Sequence, residues 1–554
     1  MKHIVQILLD QKVDVNTQGG EYGNPLQAAA YGGDETITEL LLHAGANVNT
    51  QGGVFGNALQ AASYSGNENV VQCLLKVGAN VNTHGGVFGN ALQAAAYGGN
   101  EVIVNLLLNA EADANAEGGR YGTALQAASC NGKEAIVNIL LGKRVNVNVN
   151  IGEYGTALHA ASHNGNENIV RNRLKVDADV DAEGGKYGNA LQAASYNGDE
   201  TIVELLLKAG ADVNAKGGEY GNALQAASYN GNEAVVKLLL DAGADVNAKG
   251  GECGNALQAA SYNGDEATVK LLLEAGADVN AEGGEYGNAL QAAVYWGNEV
   301  IVEHLLGKGA DVNGQGGKYE TALQAASYRG DVNMMNLLLK EKADINGEGG
   351  FFGNALQAAS YAGNEDAVSF LLKAGMSINT NVEESFYGNS LQAASYQGNM
   401  TMVELLINQG ADVNLRGGYY ETSLQAAASE GHEGIVKYLL ELGADVNAKG
   451  GYYGVALVAA SDEAMAKILL NAGADINASA GLLGTALQYA SFHGNKAIVR
   501  ILLEKGANID AQDGYSRESS LQAAAMNGHE TVVNLLLDAK ADVNAPASIF
   551  GTAL

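Results

Sequence analysis

Two histidines four residues apart could chelate a metal ion. His159 and His163 would share one face of a helix, which is a spacing that zinc sites use, and Cys130 occupies the place equivalent to His163 one repeat earlier. The same two places hold Gln and Tyr in other copies of the sequence pattern, as at Gln225 and Tyr229. The histidines therefore read as plain substitutions, and the sequence predicts no metal site and no other cofactor.

Glycine-rich segments such as GGEYG share the composition of phosphate-binding loops. They recur in most units as turns, no strand is predicted before them, and the chain has no GxxxxGK[ST] motif. Neither paired carboxylates nor a Ser/His/Asp set share a recognisable catalytic context. We predict that the protein is not an enzyme.

The composition limits the classes of partner. Against 31 Lys and Arg the 554 residues include 62 Asp and Glu, a formal net charge of −31, which repels phosphate backbones and anionic lipid. No segment approaches the run of about 20 apolar residues that a membrane helix needs, and MKHIVQILLD lacks the cleavage-like site of a signal peptide. We therefore predict no nucleic-acid partner and no membrane insertion.

The cysteines indicate the redox compartment. Cys73, Cys130 and Cys253 lie far apart and form no CxxC pair, so neither a disulfide framework nor a zinc ribbon is indicated. We expect a reducing, intracellular compartment and predict a cytoplasmic protein.

A leucine within an ALQAA-like segment recurs along the whole chain, mostly at steps of 33 residues. Seventeen of these register leucines delimit sixteen intervals. They are Leu26, Leu59, Leu92, Leu125, Leu158, Leu191, Leu224, Leu257, Leu290, Leu323, Leu356, Leu391, Leu424, Leu457, Leu487, Leu521 and Leu554. Such a period is typical of a repeat protein in which each unit is one small supersecondary element.

Residues 217–249 show how one unit is punctuated. Asn222 is a good N-cap for a first helix of about seven residues that Gly231 ends in the left-handed conformation. Asn232 would cap a second helix with an apolar face, and Gly243 would stop it. The remaining glycine-rich segment reads as an extended hairpin.

A helix pair of this size cannot bury its apolar face alone, so each unit must pack against its neighbours. The sequence therefore predicts an α-solenoid of helix-turn-helix units with connecting hairpins. The unit resembles the ankyrin repeat, most specifically in the segment LLLxAGADVNA at 205–215, 238–248 and 271–281. The GGxYGNALQAAS variant is similar to arrays of fungal proteins that are often attached to a signalling NTPase. The resemblance implies an ankyrin superhelix with a concave recognition surface that the hairpin tips and the ends of the first helices line.

The domain organisation is predicted to be one continuous array over 1–554. The array is incomplete at both ends, since residue 1 falls at the start of a second helix and Leu554 early in a first helix, so we expect it to be part of a longer, multidomain chain. Irregularities are expected near 380–386, where two residues are gained, and near 461–463, where three residues of an interhelical turn are lost. We expect a local kink at 455–490.

Two aromatic rows accompany the register leucines. One row lies four residues before most of these leucines, from Tyr22 to Phe550, and the other lies five residues after most of them, from Tyr31 to Phe492. Tyrosine suits a recognition surface because it combines rigid area with a polar tip. Regular spacing predicts packing more readily than function, so we favour the interpretation that these rings stack between neighbouring units.

Deviations from the repeat indicate a docking patch within 285–460. Its aromatic and basic composition is that of binding hot spots, although drift in a surface stripe would give the same pattern. The residues predicted to bind a partner are Tyr295, Trp296, Lys318, Arg329, Phe351, Phe352, Phe386, Tyr387, Tyr419, Tyr420, Tyr452 and Tyr453.

The function expected from these features is a scaffold that recognises a protein or peptide on its concave and hairpin-tip face. Two alternatives remain open. The array could be the sensor arm of a larger signalling NTPase, or a structural spacer or spring whose near-identical units need bind nothing. Residues 217–249 and 250–282, for example, differ at only five positions.

Overall fold

The computed structural model describes residues 2–176, 178–383, 385–479, 483–515 and 517–545. Leu554 of the register leucines and Phe550 of the aromatic rows lie outside the described residues. The chain forms two compact units, Met1–Glu285 and Tyr286–Leu554. Within each unit short helices follow one another in pairs, and the described residues contain no β-strand.

The helices of the first unit are α1 (Lys2–Asp10), α2 (Pro25–Gly32), α3 (Glu35–His43), α4 (Ala58–Ser65), α5 (Glu68–Lys76), α6 (Ala91–Gly98), α7 (Glu101–Asn109), α8 (Ala124–Cys130), α9 (Glu134–Leu141), α10 (Ala157–His163), α11 (Glu167–Leu174), α12 (Ala190–Asn197), α13 (Glu200–Lys208), α14 (Ala223–Tyr229), α15 (Glu233–Asp241), α16 (Ala256–Asn263) and α17 (Glu266–Glu274).

The helices of the second unit are α18 (Ala289–Trp296), α19 (Glu299–Gly307), α20 (Ala322–Arg329), α21 (Val332–Lys340), α22 (Ala355–Ala362), α23 (Glu365–Lys373), α24 (Ser390–Gln397), α25 (Met400–Asn408), α26 (Ser423–Ser429), α27 (Glu433–Glu441), α28 (Glu463–Asn471), α29 (Ala486–Phe492), α30 (Lys496–Glu504), α31 (Ser520–Met526) and α32 (Glu530–Asp538).

The first helix of the repeat at 217–249, α14, begins and ends as predicted. Asn222 has an extended backbone, and its side chain accepts from the Gln225 N–H at 2.8 Å, which satisfies one free amide of the opening turn. The helix ends at Tyr229, and Gly231 has a φ of 70°, a left-handed conformation that only glycine adopts without cost.

The start of the second helix differs from the prediction at Asn232. Its side chain does not cap α15; the amide instead donates to the carbonyls of Ser195 and Tyr196 at 3.2 Å. These carbonyls lie at the end of the preceding first helix, where no intrahelical donor is available. Asp199, at the equivalent place one repeat earlier, has no amide to donate and caps α13 through Ile202.

The core lies between successive repeats. First helices pack on first helices, α12 on α14 and α14 on α16, and the fully buried Ala226 and Ala227 allow this close approach. Val236 and Leu239 of α15 are fully buried as well, and burial of such side chains contributes roughly 1.5–3 kcal/mol each. Because successive repeats within each unit share their core, the fold is an α-solenoid.

The connecting segment, predicted as an extended hairpin, is a compact loop that one antiparallel bridge closes. Gly217 and Gly221 form an isolated antiparallel bridge, with the Gly217 N–H donating to the Gly221 carbonyl at 2.8 Å. Gly218 has a φ of 64°, and a Cβ there would overlap the backbone of Tyr187 in the previous loop. The double glycine thus lets one loop lie directly on the next.

A buried glutamine ties each first helix to the following loop. Nε2 of Gln225 donates to the carbonyls of Ala248, Gly250 and Gly254 at 3.0–3.1 Å. The arrangement recurs along the chain, for example at Gln93. The glutamine therefore supplies donors to the loop carbonyls, of which only that of Gly254 also accepts from a backbone N–H that the structure describes, that of Gly250.

Two repeats depart from the regular pattern. In the loop at 380–386 the Val382 N–H donates to the Gly388 carbonyl at 2.8 Å, which replaces the pairing of two glycines seen in regular loops. Residues 455–460, which correspond to a first helix, form turns, and α28 follows at Glu463. The kink expected at 455–490 stays a prediction.

Candidate functional site

The two aromatic rows are built into the contacts between repeats. Tyr196 lies between Tyr187 and Tyr220, with ring centroids 5.2 and 4.8 Å away. Such offset and tilted ring pairs add about 0.5–1.5 kcal/mol each beyond their buried area. The interpretation that the rings of the two rows stack between neighbouring repeats is confirmed.

Burial in these rows extends the pH range over which the phenols stay protonated to values above 10. Desolvation raises the pKa of Tyr154 to about 12, because the phenolate would lose its hydration. The pKa of Tyr387 is raised for the same reason. The rows thus contribute neutral, rigid area at neutral pH.

The paired aromatics of the predicted patch do not share one environment. Phe352, Tyr387 and Tyr420 belong to the buried row and are only 1–4% exposed, and Tyr453 is half-buried. The prediction that Phe352, Tyr387 and Tyr420 lie on the binding surface is therefore corrected. Rings of the same and adjacent repeats enclose each of them, as Tyr319 and Tyr361 enclose Phe352. They support the surface from below.

The preceding residues form an outer line of side chains that we name the tip column. It consists of the residues five before the register leucines from Leu323 to Leu457: Lys318, Phe351, Phe386, Tyr419 and Tyr452. Ring centroids are 5.1 Å apart between Phe351 and Phe386, 4.9 Å between Phe386 and Tyr419, and 4.8 Å between Tyr419 and Tyr452. The four rings therefore form one continuous stack.

The backbone fixes the spacing of the tip column. The N–H of Phe386 donates to the Phe351 carbonyl, that of Tyr419 to Phe386 and that of Tyr452 to Tyr419, at 3.3, 2.9 and 2.8 Å. The outer rings also meet the buried row edge-on, as where Phe351 lies at 85° to Phe352. Each outer ring is therefore held on two sides.

The tip column remains accessible. Phe351 is 46% and Tyr452 41% exposed, and Phe386 and Tyr419 are half-buried. Lys318, at the equivalent place one repeat before Phe351, is exposed, and its Nζ lies 5.5 Å from the ring centroid of Tyr319. The column thus joins apolar ring edges, phenol hydroxyls and one ammonium group.

The same places in the first unit carry different chemistry. Arg120 pairs with Glu153, and Lys186 with Glu219 at 3.2 Å, across adjacent loops. At these positions of the first unit, basic and acidic side chains of adjacent loops thus form ion pairs. The run of aromatic rings is a property of the second unit.

Trp296 and Arg329 form a group around Tyr295 at the ends of first helices. Trp296 is 41% exposed and meets the Tyr295 ring edge-on at 5.4 Å. Arg329 Nη1 donates to the Tyr295 carbonyl at 2.8 Å, so it closes the end of α18. The Tyr295 ring stacks on the buried Tyr319 at 4.9 Å.

The comparison with protein families decides what this architecture is. The model described as Ankyrin repeats (3 copies) matches residues 1–85, 59–151, 149–217, 216–283, 290–382, 378–450 and 454–547. The chain belongs to the ankyrin repeat family. Ankyrin repeats are, in general, non-enzymatic modules for protein–protein interaction.

A solved ankyrin structure is similar to part of the chain. The crystal structure of the human ASB11 ankyrin repeat domain is 26% identical in sequence, covers 40% of this chain and 99% of its own, and superposes with a TM-score of 0.35. No curated protein matches the ankyrin array.

His159 and His163 are part of the packing of this ankyrin array. The Thr156 N–H donates to His159 Nδ1 at 3.1 Å, so Nε2 carries the proton and donates to the Ala182 carbonyl at 2.8 Å. His163 stacks on Tyr187 at 4.3 Å. Burial raises the pKa of the Cys130 thiol to about 11. No group of three or more metal-ligating side chains occurs in the described part of the chain.

The helices of the ankyrin array are short. Of the helices that the structure describes, none is long and apolar enough to cross a membrane.

Sequence reasoning missed a cavity at the Tyr452 end of the tip column. Its volume is about 340 Å³, and Tyr489, Phe492, Asp513 and Met526 contribute to its lining. The available signal was Tyr489, which stands where the repeat otherwise carries alanine two residues after the register leucine.

Proposed function

We propose that the ankyrin array binds a protein or peptide partner through the tip column of its second unit. The observation that carries the proposal is the continuous exposed stack of Phe351, Phe386, Tyr419 and Tyr452. Aromatic side chains that are exposed together and rimmed by polar groups are characteristic of interaction surfaces.

The stack is suited to binding because its rings are already ordered. Phe351 and Tyr452 contact rings of the buried row at 5.2 Å, so their side chains lose little further freedom on association. Ordering a mobile side chain at an interface costs about 0.5–1.5 kcal/mol, and the tip column avoids most of that cost. Lys318 adds a charge at the edge, where it favours orientation more than affinity.

Trp296 and Arg329 extend the proposed surface toward the ends of the first helices. Trp296 supplies 41% of its side chain to solvent, and tryptophan and arginine are enriched among residues whose loss weakens binding. Their contribution is expected to be secondary to that of the tip column, because Arg329 also serves the end of α18.

We infer further that the partner is met in a reducing, cytoplasmic compartment. Cys73, Cys130 and Cys253 are free thiols, which is the usual state of cysteine inside the cell. The free thiols are equally compatible with a scaffold that is part of a larger intracellular signalling protein.

Site-specific photocrosslinking in cells tests the proposal. A photoreactive phenylalanine analogue placed at Phe351 or Tyr419 should give one defined crosslinked protein. The same analogue at Val54, which is 40% exposed at the equivalent place in the first unit, should give none. Equal products at Val54 and Phe351 would contradict a specific surface, and no product at either tip position would favour the spacer function.

The triple variant Phe351→Ala, Tyr419→Ala, Tyr452→Ala separates binding from folding. Capture of the crosslinked partner should fall at least about tenfold, since aromatic hot-spot residues contribute about 2 kcal/mol or more each. The matched control is Val54→Ala with Val87→Ala, at the same places in the first unit. An unchanged helical circular dichroism spectrum establishes that both variants fold.

A further inference from the structure

The cavity at the end of the tip column exists because the aromatic rows are interrupted there. Regular repeats of the second unit place a ring four residues before the register leucine, but Leu483 and Arg517 stand at these places before Leu487 and Leu521. The shortened repeat at 455–460 also lacks the ring that follows a regular first helix. Two positions that rings fill elsewhere in the unit thus carry the non-aromatic Leu483 and Arg517, and a third ring is missing.

The rings that remain border this space. Phe492 is 42% exposed, whereas the corresponding Tyr361 and Tyr396 are half-buried between neighbours. Tyr489 meets the Tyr453 ring edge-on at 5.9 Å. Tyr452, the last ring of the tip column, is also part of the cavity lining, so the cavity continues the proposed docking surface.

The cavity is acidic as well as aromatic. Asp513 is exposed at its edge and Glu518 is buried in its wall, and the lining within the described residues contains neither Lys nor Arg. Gln488 Nε2 donates to the carbonyls of Asp513 and Glu518 at 3.1 and 2.5 Å. The backbone of both acidic residues is therefore fixed before any ligand arrives.

We propose that this cavity receives an arginine side chain of the bound partner. A guanidinium is planar and stacks on aromatic faces, so it can take the place of a missing ring, and it pairs with carboxylates through a fork of donors. A lysine ammonium offers the charge without the planar face. This inference rests on the proposed function, of which it names the partner's chemistry at one end of the surface.

Methyl NMR of the full chain provides a direct test. Met526 lines the cavity and is 52% exposed, and Met526→Leu identifies its resonance among those of the eight methionines. The peptide Ac-Gly-Arg-Gly-NH2 should shift this resonance in a saturable way. Its citrulline analogue, which keeps the shape and loses the charge, should leave the resonance in place, and the lysine analogue should bind more weakly.

Two cavity variants and two controls complete the experiment. Asp513→Asn and Phe492→Ala should each lower the affinity for the arginine peptide by about fivefold or more, as expected for loss of one charge or cation–π contact. Asp538→Asn, an exposed acid at the end of α32, and Val54→Ala, at a residue that is 40% exposed in the first unit, should leave the titration unchanged. Equal binding of the citrulline peptide, or unchanged binding to Asp513→Asn, would overturn the inference.

The two proposals fail separately. Crosslinking at Phe351 without any response of Met526 to the arginine peptide would remove the arginine site and retain the docking surface. A response of Met526 without crosslinking at Phe351 would retain the arginine site and remove the tip column as the main contact.

Discussion

Arg173 occupies the position that Leu206 fills one repeat later, and both side chains are fully buried. Nη2 of Arg173 donates to the Val147 carbonyl at 3.4 Å, while Nε and Nη1 have no hydrogen-bond partner among the described residues. Desolvation lowers the pKa of Arg173 to about 10. Helix α11 therefore carries a buried charge with little compensation, which is costly.

Arg173→Leu is expected to stabilise this repeat by about 1–4 kcal/mol, the range found when buried charges give way to packed apolar side chains. Because repeat arrays do not unfold as one unit, the measurement is hydrogen exchange of the amides in α11. Arg171→Leu is the control, since Arg171 is exposed and paired with Glu167. Unchanged protection of α11 in Arg173→Leu would show that the buried charge is harmless.

His159 makes its repeat sensitive to acid. The side chain is 2% exposed, and desolvation lowers its pKa to about 4. Above pH 6.5 the imidazole is neutral in both states and costs nothing. As the pH falls from 6.5 toward 4, the unfolded chain takes up a proton that the folded one excludes, so stability is lost.

His159→Gln, the residue of most other repeats, should remove this loss. The quantity compared is the local stability of α10 in the variant minus that in the parent. We expect this difference to be about 2–3 kcal/mol larger at pH 4.5 than at pH 7.5, since each unit of pKa shift corresponds to 1.36 kcal/mol. Hydrogen exchange at the two pH values, corrected for intrinsic rates, measures it. A difference that does not change with pH would contradict the assignment of a neutral, buried imidazole.

The buried glutamines should be essential to stacking. Gln225→Leu keeps most of the side-chain volume but leaves the carbonyls of Ala248, Gly250 and Gly254 without the Nε2 donor. A loss of about 2–6 kcal/mol is expected, because two carbonyls are left unpaired at roughly 1–3 kcal/mol each, while that of Gly254 keeps the Gly250 N–H. Faster hydrogen exchange of the amides in α14 and α15 should measure this loss of stability. Lys237→Ala, on the exposed side of α15, is the control. A neutral result would mean that water replaces the amide.

The helices could be predicted from the sequence because their signals are local. Asn222 and Gly231 delimit α14 through contacts within a few residues, and the leucine register repeats them along the chain. Asn232 was misread because its partners, Ser195 and Tyr196, lie one repeat earlier and outside the helix that it precedes.

The candidate site could be predicted only in part. The pairing of Phe351 with Phe352 is visible in the sequence, but which ring is buried depends on Tyr319 and Tyr361 in neighbouring repeats. The cavity beside Phe492 lies next to the repeat that lacks three residues near 461–463. Missing residues leave no side chain in the sequence from which a cavity could be predicted. Its position follows only from the stacking of the repeats on both sides.

Restoring the deleted residues should close that cavity. Insertion of Tyr-Asn-Gly between Ser461 and Asp462, combined with Val458→Gln, returns the spacing to Leu487 to 33 residues and rebuilds an ALQAA-like first helix. The inserted ring would take the place beside Tyr453 and Phe492 that tyrosines hold in regular repeats, because the rows recur with the repeat. We expect stronger amide protection over 455–460 and loss of the response of Met526 to the arginine peptide. Insertion of Gly-Ser-Gly at the same point restores the length without the ring and should retain that response; if both insertions abolish it, the ring vacancy is not what makes the cavity.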